Sequence, residues 1–244
     1  MDPSFRLTLD KAPATMAEHA AMHDKPYCEA VGALNWAVLT TRPDITFAVT
    51  MVARFAANPG IPHWKAVKRI YCYLASTQDL WLTYGETRQV LEGYADTNGS
   101  MNEDRHAITG YMFLIDREAV SWSSKQQEIV SLSITESKYI AAMHRMKEAL
   151  WLRSLLSKIF ESIKPPTTLF SDNQAAISLT HDHQYHAHTK HIDVQYHFIC
   201  WVIDQGSLRL VYCPTDNMVA DTLTKALPLA KVKHFAAGLG LHAE

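Results

Sequence analysis

The chain has 244 residues, 48% hydrophobic and 20% charged, a composition that suits a soluble chain with a buried core. Its formal net charge of −2 excludes a uniformly basic nucleic-acid binder, so any phosphate contact has to come from a local patch. Four cysteines, Cys28, Cys72, Cys200 and Cys213, form no C-x-x-C pair, which argues against a disulfide framework or a thiolate zinc site and for a reducing, intracellular compartment.

The opening MDPSFRLTLDKAPA lacks the apolar stretch of a secretory signal. Residues 1–26 read as a loose polar arm, and no run approaches the ~18 apolar residues of a membrane span. Residues 27–87 read as a helical segment. YCEAVGALNWAVLTT carries a dense apolar face and stops before Arg42-Pro43. PDITFAVTMVARFAAN opens on a proline, well placed in a first helical turn, and ends at the breaker Asn58-Pro59-Gly60. PHWKAVKRIYCYLAST sets Trp64, Val67, Ile70, Tyr71 and Leu74 at helical spacing. Lys65, Lys68 and Arg69 fall off that stripe, as a solvated face or a phosphate-contacting patch.

From residue 88 the texture changes. VLEGYAD reads as a strand ending in Asp96, AITGYMFLI as a second, and AVSWSS as a third after a tight turn at Asp116-Arg117-Glu118. Three strands with short links predict an antiparallel meander. A helix over about 134–160 follows, with Tyr139, Met143, Met146 and Leu150 on one stripe and Leu152, Leu155, Leu156 and Ile159 extending it. Pro165-Pro166 breaks the chain. TTLF is a short strand and SDNQAAISL turns straight into a helix; residues 181–190 are a histidine-rich loop. HIDVQYHFICWVID reads as a helix ending at Gly206, SLRLVYC as a strand and NMVADTLTKAL as a last helix. The order β-β-β-α-β-α-α-β-α predicts a mixed α/β fold.

Within SLSITESKYIAA, Ser133-x-x-Glu136 fits a capping box. Yet Glu136 stands one turn before Ile140 and Met143, so it projects toward the buried face, a direction a cap does not need. Three other acids share this kind of place: Asp96 closes the first strand, Asp172 joins the fourth strand to its helix, and Asp221 lies between Val219 and Leu223. Singly, each has an ordinary reading as turn former, N-cap or exposed helix residue. Together they offer the hard oxygen ligands that Mg²⁺ prefers and that two-ion phosphodiester hydrolysis uses.

The motifs GYADTNGS, SWSSKQQEIVSLSITESKYIA, KEALWLRSLL, LFSDNQAAISL, HTKHIDVQYHFI and ADTLTKALP run in order across residues 93–228. They resemble the ribonuclease H domain of a copia-type long-terminal-repeat retrotransposon polyprotein. Upstream, MDPSFRLT, EAVGALNW, TRPDITFAV, NPGIPHWKAVKRI and LTYG resemble the connection segment that follows the polymerase in such polyproteins. The resemblance implies an α/β, ribonuclease H-like fold. Its five-stranded mixed sheet has three antiparallel then two parallel strands, flanked by helices, with an N-terminal helical extension. The expected domains are the arm 1–26, the connection-like segment 27–87, the ribonuclease H-like domain 88–228 and a tail 229–244.

By the same resemblance, Asp96, Glu136, Asp172 and Asp221 are the catalytic residues and the ligands of two Mg²⁺ or Mn²⁺ ions. The implied activity is endonucleolytic cutting of the RNA strand of an RNA–DNA hybrid. An integrase-type nuclease of similar fold would place its glutamate last; here it comes second. Asp96-Thr97-Asn98-Gly99 stands where the copia pattern reads Asp-Ala-Asp-Trp, and the loop Tyr212-Cys213-Pro214-Thr215 lacks the histidine of cellular ribonucleases H.

Asn173 and Gln174 are candidate readers of the ribose 2′-OH or of minor-groove base edges, the contacts that tell RNA from DNA. His188, Lys190 and His191 complete the expected substrate-binding set, His188 standing where the pattern more often has arginine. The crowd of His181, His183, His186, His188, His191 and His197 also admits a loop role or zinc binding. Lys138, Arg145, Lys147 and Arg153 are expected to supply phosphate contacts beside the site. Expected partners are the hybrid and a reverse transcriptase or other polyprotein-derived subunit, with no membrane, in a cytoplasmic virus-like particle or the nucleus. A second reading is a folded remnant that binds hybrid, or serves as a subunit, without cutting.

Overall fold

The structure is a computed structural model that describes residues 7–85, 90–98, 107–127, 134–160, 166–172, 174, 177, 198 and 201–243. In chain order the regular elements are α1 (Met16–His23), α2 (Tyr27–Thr40), α3 (Thr46–Ala53), α4 (Ile61–Ala75), β1 (Leu80–Leu82), β2 (Leu91–Asn98), β3 (Ile108–Ile115) and β4 (Glu118–Gln126). They continue with α5 (Ile134–Ile159), β5 (Thr167–Ser171), β6 (Leu208–Tyr212), α6 (Leu229–Gly238) and β7 (Leu241–Ala243). The chain divides into two units: Met1–Thr83 with Lys225–Glu244, and Tyr84–Thr224.

In the first unit, α2, α3 and α4 bury Leu34, Val49, Val52 and Val67 against one another. Residues 16–23, expected inside a loose arm, form α1, because Thr15 and Glu18 make a reciprocal capping box. Arg42, before the proline that ends α2, is buried and donates to both carboxylate oxygens of Asp44, at 3.0 and 2.7 Å. Tyr73 OH donates to the same carboxylate at 2.8 Å, and Arg42 also donates to Thr77 O and Oγ1 at 3.0 and 2.7 Å. At the start of α4, His63 Nδ1 accepts the Gly60 N–H at 2.9 Å, which leaves Nε2 protonated to donate to Thr8 O at 3.2 Å. The ring stacks on Phe55 with centroids 4.1 Å apart. Lys65, Lys68 and Arg69 lie on the exposed side of α4.

Two stretches differ from the sequence expectation. Leu80–Leu82, expected within the helical segment, is β1 and pairs antiparallel with β7. Residues 229–243, expected as a tail, supply α6 and β7. Phe235, Leu239 and Leu241 there are all buried, and Gly240, at φ 85°, turns the chain between helix and strand.

The second unit carries the five-stranded sheet in the order β4-β3-β2-β5-β6. Its first three strands are antiparallel; β2–β5 and β5–β6 are parallel. This is the mixed arrangement of the expected ribonuclease H-like fold. β3 and β4 join through a two-residue turn in which Asp116 (φ 53°) and Arg117 (φ 80°) are both left-handed, matching the strand twist. On one face, α5 lies against β2 and buries Met146, Ala149, Leu152 and Leu156 over Leu91, Phe113 and Leu169. Leu155 and Ile159, expected on that stripe, are exposed. Tyr94 stacks on Phe170 with ring centroids 4.6 Å apart, in a cluster with Cys213, Met218 and Ala220.

The segment expected as the last helix of this domain instead makes two short 3₁₀ turns, Thr215–Asn217 and Val219–Leu223. Residues 220 to 224 are buried in succession. An amphipathic α-helix would bury a stripe, whereas this stretch is enclosed on all sides and closes with i→i+3 bonds. Among the described residues no helix is long and apolar enough to cross a membrane.

A candidate acidic site at the end of the central strand

Asp96 lies near the end of β2, the middle strand of the sheet, and is 3% exposed. Directly across the ladder is Gly110 on β3. A Cβ at Gly110 would stand 2.6 Å from Leu223 Cβ and 2.8 Å from Thr224 Cγ2. The absent side chain is what lets residues 219–224 lie down on β2 and β3. That segment carries Asp221, also 3% exposed. Thr224 Oγ1 donates to Asp96 Oδ2. The backbone N–H of Thr224 donates to Asp221 O at 3.2 Å.

Asp172 follows β5 and is half-buried. Parallel pairing sets Tyr94 opposite Phe170. Asp172 comes two residues after Phe170, as Asp96 comes two after Tyr94, and the charges of both reach Arg145. The charges of Asp172 and Asp221 both reach the Cys213 thiol, whose pKa is raised first by burial and then by these two carboxylates. The three aspartates expected in the site therefore meet in one region.

Glu136 is in the first turn of α5, but its side chain lies outside the described residues. Asn173, His188, Lys190, His191 and the other histidines of 181–197 lie outside them as well. Gln174 is helical and exposed. Among the described residues no three His, Cys, Asp or Glu side chains form a ready-made ion cage.

Arg145 corrects an expectation. It does not face solvent as a phosphate contact; it is 7% exposed, beside the fully buried Met146. Burial draws its pKa down to about 10, while the charges of Asp96 and Asp172 pull it back up. It therefore stays a guanidinium at neutral pH, inside the field of the acids. The signal for this was present in the sequence: 145, 149, 152 and 156 form one 4-3-4 row, and its other three members are core residues. Arg153 also differs, donating to Thr167 Oγ1 at 2.9 Å and so tying α5 to β5. Lys147 is exposed as expected, and the Lys138 side chain lies outside the described residues.

The donors suit a hard divalent cation. Asp96, Asp172 and Asp221 offer only carboxylate oxygen, the ligand type of Mg²⁺ and Mn²⁺.

No protein-family model matches the chain. It is 41% identical over 239 residues to the retrovirus-related Pol polyprotein from transposon TNT 1-94 of Nicotiana tabacum, across 98% of this chain and 18% of that protein. Its homologues are therefore retrovirus-related Pol polyproteins of plant transposons. A second Pol polyprotein, from transposon RE2 of Arabidopsis thaliana, is 34% identical over 214 residues, across 86% of this chain and 15% of its own length. The present chain thus spans less than a fifth of these Pol polyproteins. Among solved structures, the chain is similar to an RNase H1 isolated from compost by a metagenomic approach. That match has a TM-score of 0.42 at 15% identity and covers 56% of this chain and 93% of the other.

Proposed function

We propose that this chain is a divalent-metal-dependent endonuclease that hydrolyses the RNA strand of RNA–DNA hybrids. The observation that carries the proposal is the meeting of Asp96, Asp172 and Asp221. They come from three elements far apart in sequence, and two of them are buried. Buried carboxylates are costly without counter-charge, and one guanidinium, Arg145, does not balance three aspartates, which supports a bound cation.

In this reading Asp96, Glu136, Asp172 and Asp221 hold two Mg²⁺ or Mn²⁺ ions. Bound there, the ions supply the positive charge that favours in-line attack of water on a phosphodiester. Asp96 is held on β2 and Asp172 directly follows the neighbouring strand β5, so the sheet carries both to one end. Asn173 and Gln174, directly after Asp172, read the ribose 2′-OH. His188, Lys190, His191 and the exposed Lys147 contact phosphate. The proposed partners are the hybrid and a reverse transcriptase or another polyprotein-derived subunit. The proposed setting is intracellular, in a cytoplasmic particle or the nucleus.

The buried Arg145 favours a second reading, a hybrid-binding module or subunit that does not cut, because a fixed guanidinium already offsets part of the acidic charge. Incubation of a strand-labelled hybrid with Mg²⁺ or Mn²⁺, alongside the Asp172→Asn variant, separates the two. The nuclease cuts only the RNA strand, only with metal, and the variant does not cut. A folded protein that binds hybrid and leaves both strands whole overturns the nuclease and leaves the binding module.

A further inference from the structure

We infer that Thr224 is a positioning residue that ties the first and last acids of the site together and orients Asp96 toward a bound divalent ion. The inference rests on the metal-site reading above and adds a residue to it.

The geometry is specific. Thr224 is fully buried. Its hydroxyl lies against Asp96 Oδ2 and, at 3.4 Å, Asp221 O; the much closer carboxylate takes the proton, and the backbone N–H donates to Asp221 O. One residue therefore grips the carboxylate of the first acid and the main chain of the last. Asp96 and Asp221 are far apart in sequence and sit on a strand and a 3₁₀ turn that share no backbone ladder. A hydroxyl has a single proton to donate. Once it is given to Oδ2, that oxygen is fixed, the carboxylate cannot rotate freely, and Oδ1 is presented in one direction. Groups that orient a metal-ligating carboxylate in this way commonly contribute ten- to a hundredfold to metal affinity.

Gly110 makes the grip possible. Thr224 Cγ2 occupies the space that a side chain at 110 would need. The threonine methyl thus serves as the packing surface against β3, while the hydroxyl on the same carbon reaches β2. Serine would keep the donor and lose the packing; valine would keep the packing and lose the donor. The residue type splits the two roles cleanly.

The test is Mn²⁺ binding to the full chain, followed by electron paramagnetic resonance, for wild type, Thr224→Val, Thr224→Ser and Asp96→Asn, and for Thr224→Val combined with Asp96→Asn. Circular dichroism in chelator confirms the fold of each; Thr224→Ala replaces the valine variant if that one does not fold. The expected result is Mn²⁺ affinity about tenfold weaker in Thr224→Val and within about twofold of wild type in Thr224→Ser. In the Asp96→Asn background, Thr224→Val should have no further effect, since the threonine acts through that carboxylate. Wild-type affinity in a folded Thr224→Val, or an equal loss with and without Asp96, overturns the positioning role and leaves the metal site standing. A wild-type protein that binds no Mn²⁺ overturns both.

Discussion

Gly110 stands directly across the ladder from Asp96, and the space above it is filled by Leu223 and Thr224. A methyl group there would meet Leu223 Cβ at 2.6 Å and the Leu223 backbone at 3.2 Å, neither of which is the loose end of a side chain. Gly110→Ala should therefore lower stability by about 1–3 kcal/mol through overpacking. Gly32, exposed on α2 with nothing within 4 Å of an added Cβ, should respond the other way. There Gly32→Ala should stabilise by about 0.5–1 kcal/mol. Urea unfolding of both variants checks the opposite signs.

Replacing Arg145 with Met keeps most of the volume and removes the buried charge. Asp96 and Asp172 then lose a cation that acts on them. The metal-free variant should be less stable than wild type, by about 3–5 kcal/mol if the removal strands a buried charge. Mg²⁺ should restore more stability to the variant than to wild type, because only the folded state gathers the acids. Melting curves with Mg²⁺ and with chelator measure both effects; equal metal responses would show that Arg145 and the ion do not share a field.

The β3–β4 turn asks Arg117 to adopt φ 80°, a left-handed conformation that costs an L-residue about 1–2 kcal/mol. Arg117→Gly creates the Asp-Gly pair that such two-residue turns favour. It should raise the urea midpoint by the equivalent of about 1 kcal/mol and leave hybrid binding unchanged.

His63 gives the first unit a pH response. Burial, with the Lys11 charge adding to it, holds the His63 pKa below its usual 6.5. The unfolded chain therefore binds a proton more readily than the folded one. The contribution is whole above pH 6.5 and is lost as pH falls through the depressed value. Protonation would also take away the Nδ1 acceptor that serves Gly60 N–H. Unfolding midpoints on either side of pH 6.5 should diverge for wild type and stay closer together in His63→Gln, which does not titrate.

The strands of the sheet were legible because each presents its own signal: alternation in AITGYMFLI, the turn at Asp116-Arg117, the breaker before TTLF. Their division into three antiparallel and two parallel strands followed from the resemblance and agrees with the observed pairing. Asp96, Asp172 and Asp221 were legible as acids at element ends, and the structure brings them into one region. The roles of Gly110 and Thr224 were not, because they depend on a strand and a distant 3₁₀ segment touching, and local periodicity carries no such information. Arg145 was misplaced because residue type outweighed position: its row on α5 is a core row. The pairing of β1 with β7 was hidden for another reason. Three-residue strands are too short to alternate, and their partners lie at opposite ends of the chain.

That last pairing bears on the order of events at the ribosome. The unit that carries the acids is one continuous stretch, Tyr84–Thr224, whereas the helical unit is assembled from both sides of it. As the chain emerges, all of Tyr84–Thr224 leaves the ribosome before Leu241–Ala243 does. Domains fold as units once their residues are present. The sheet with the acidic site can thus form while β1 still waits for its partner strand to emerge.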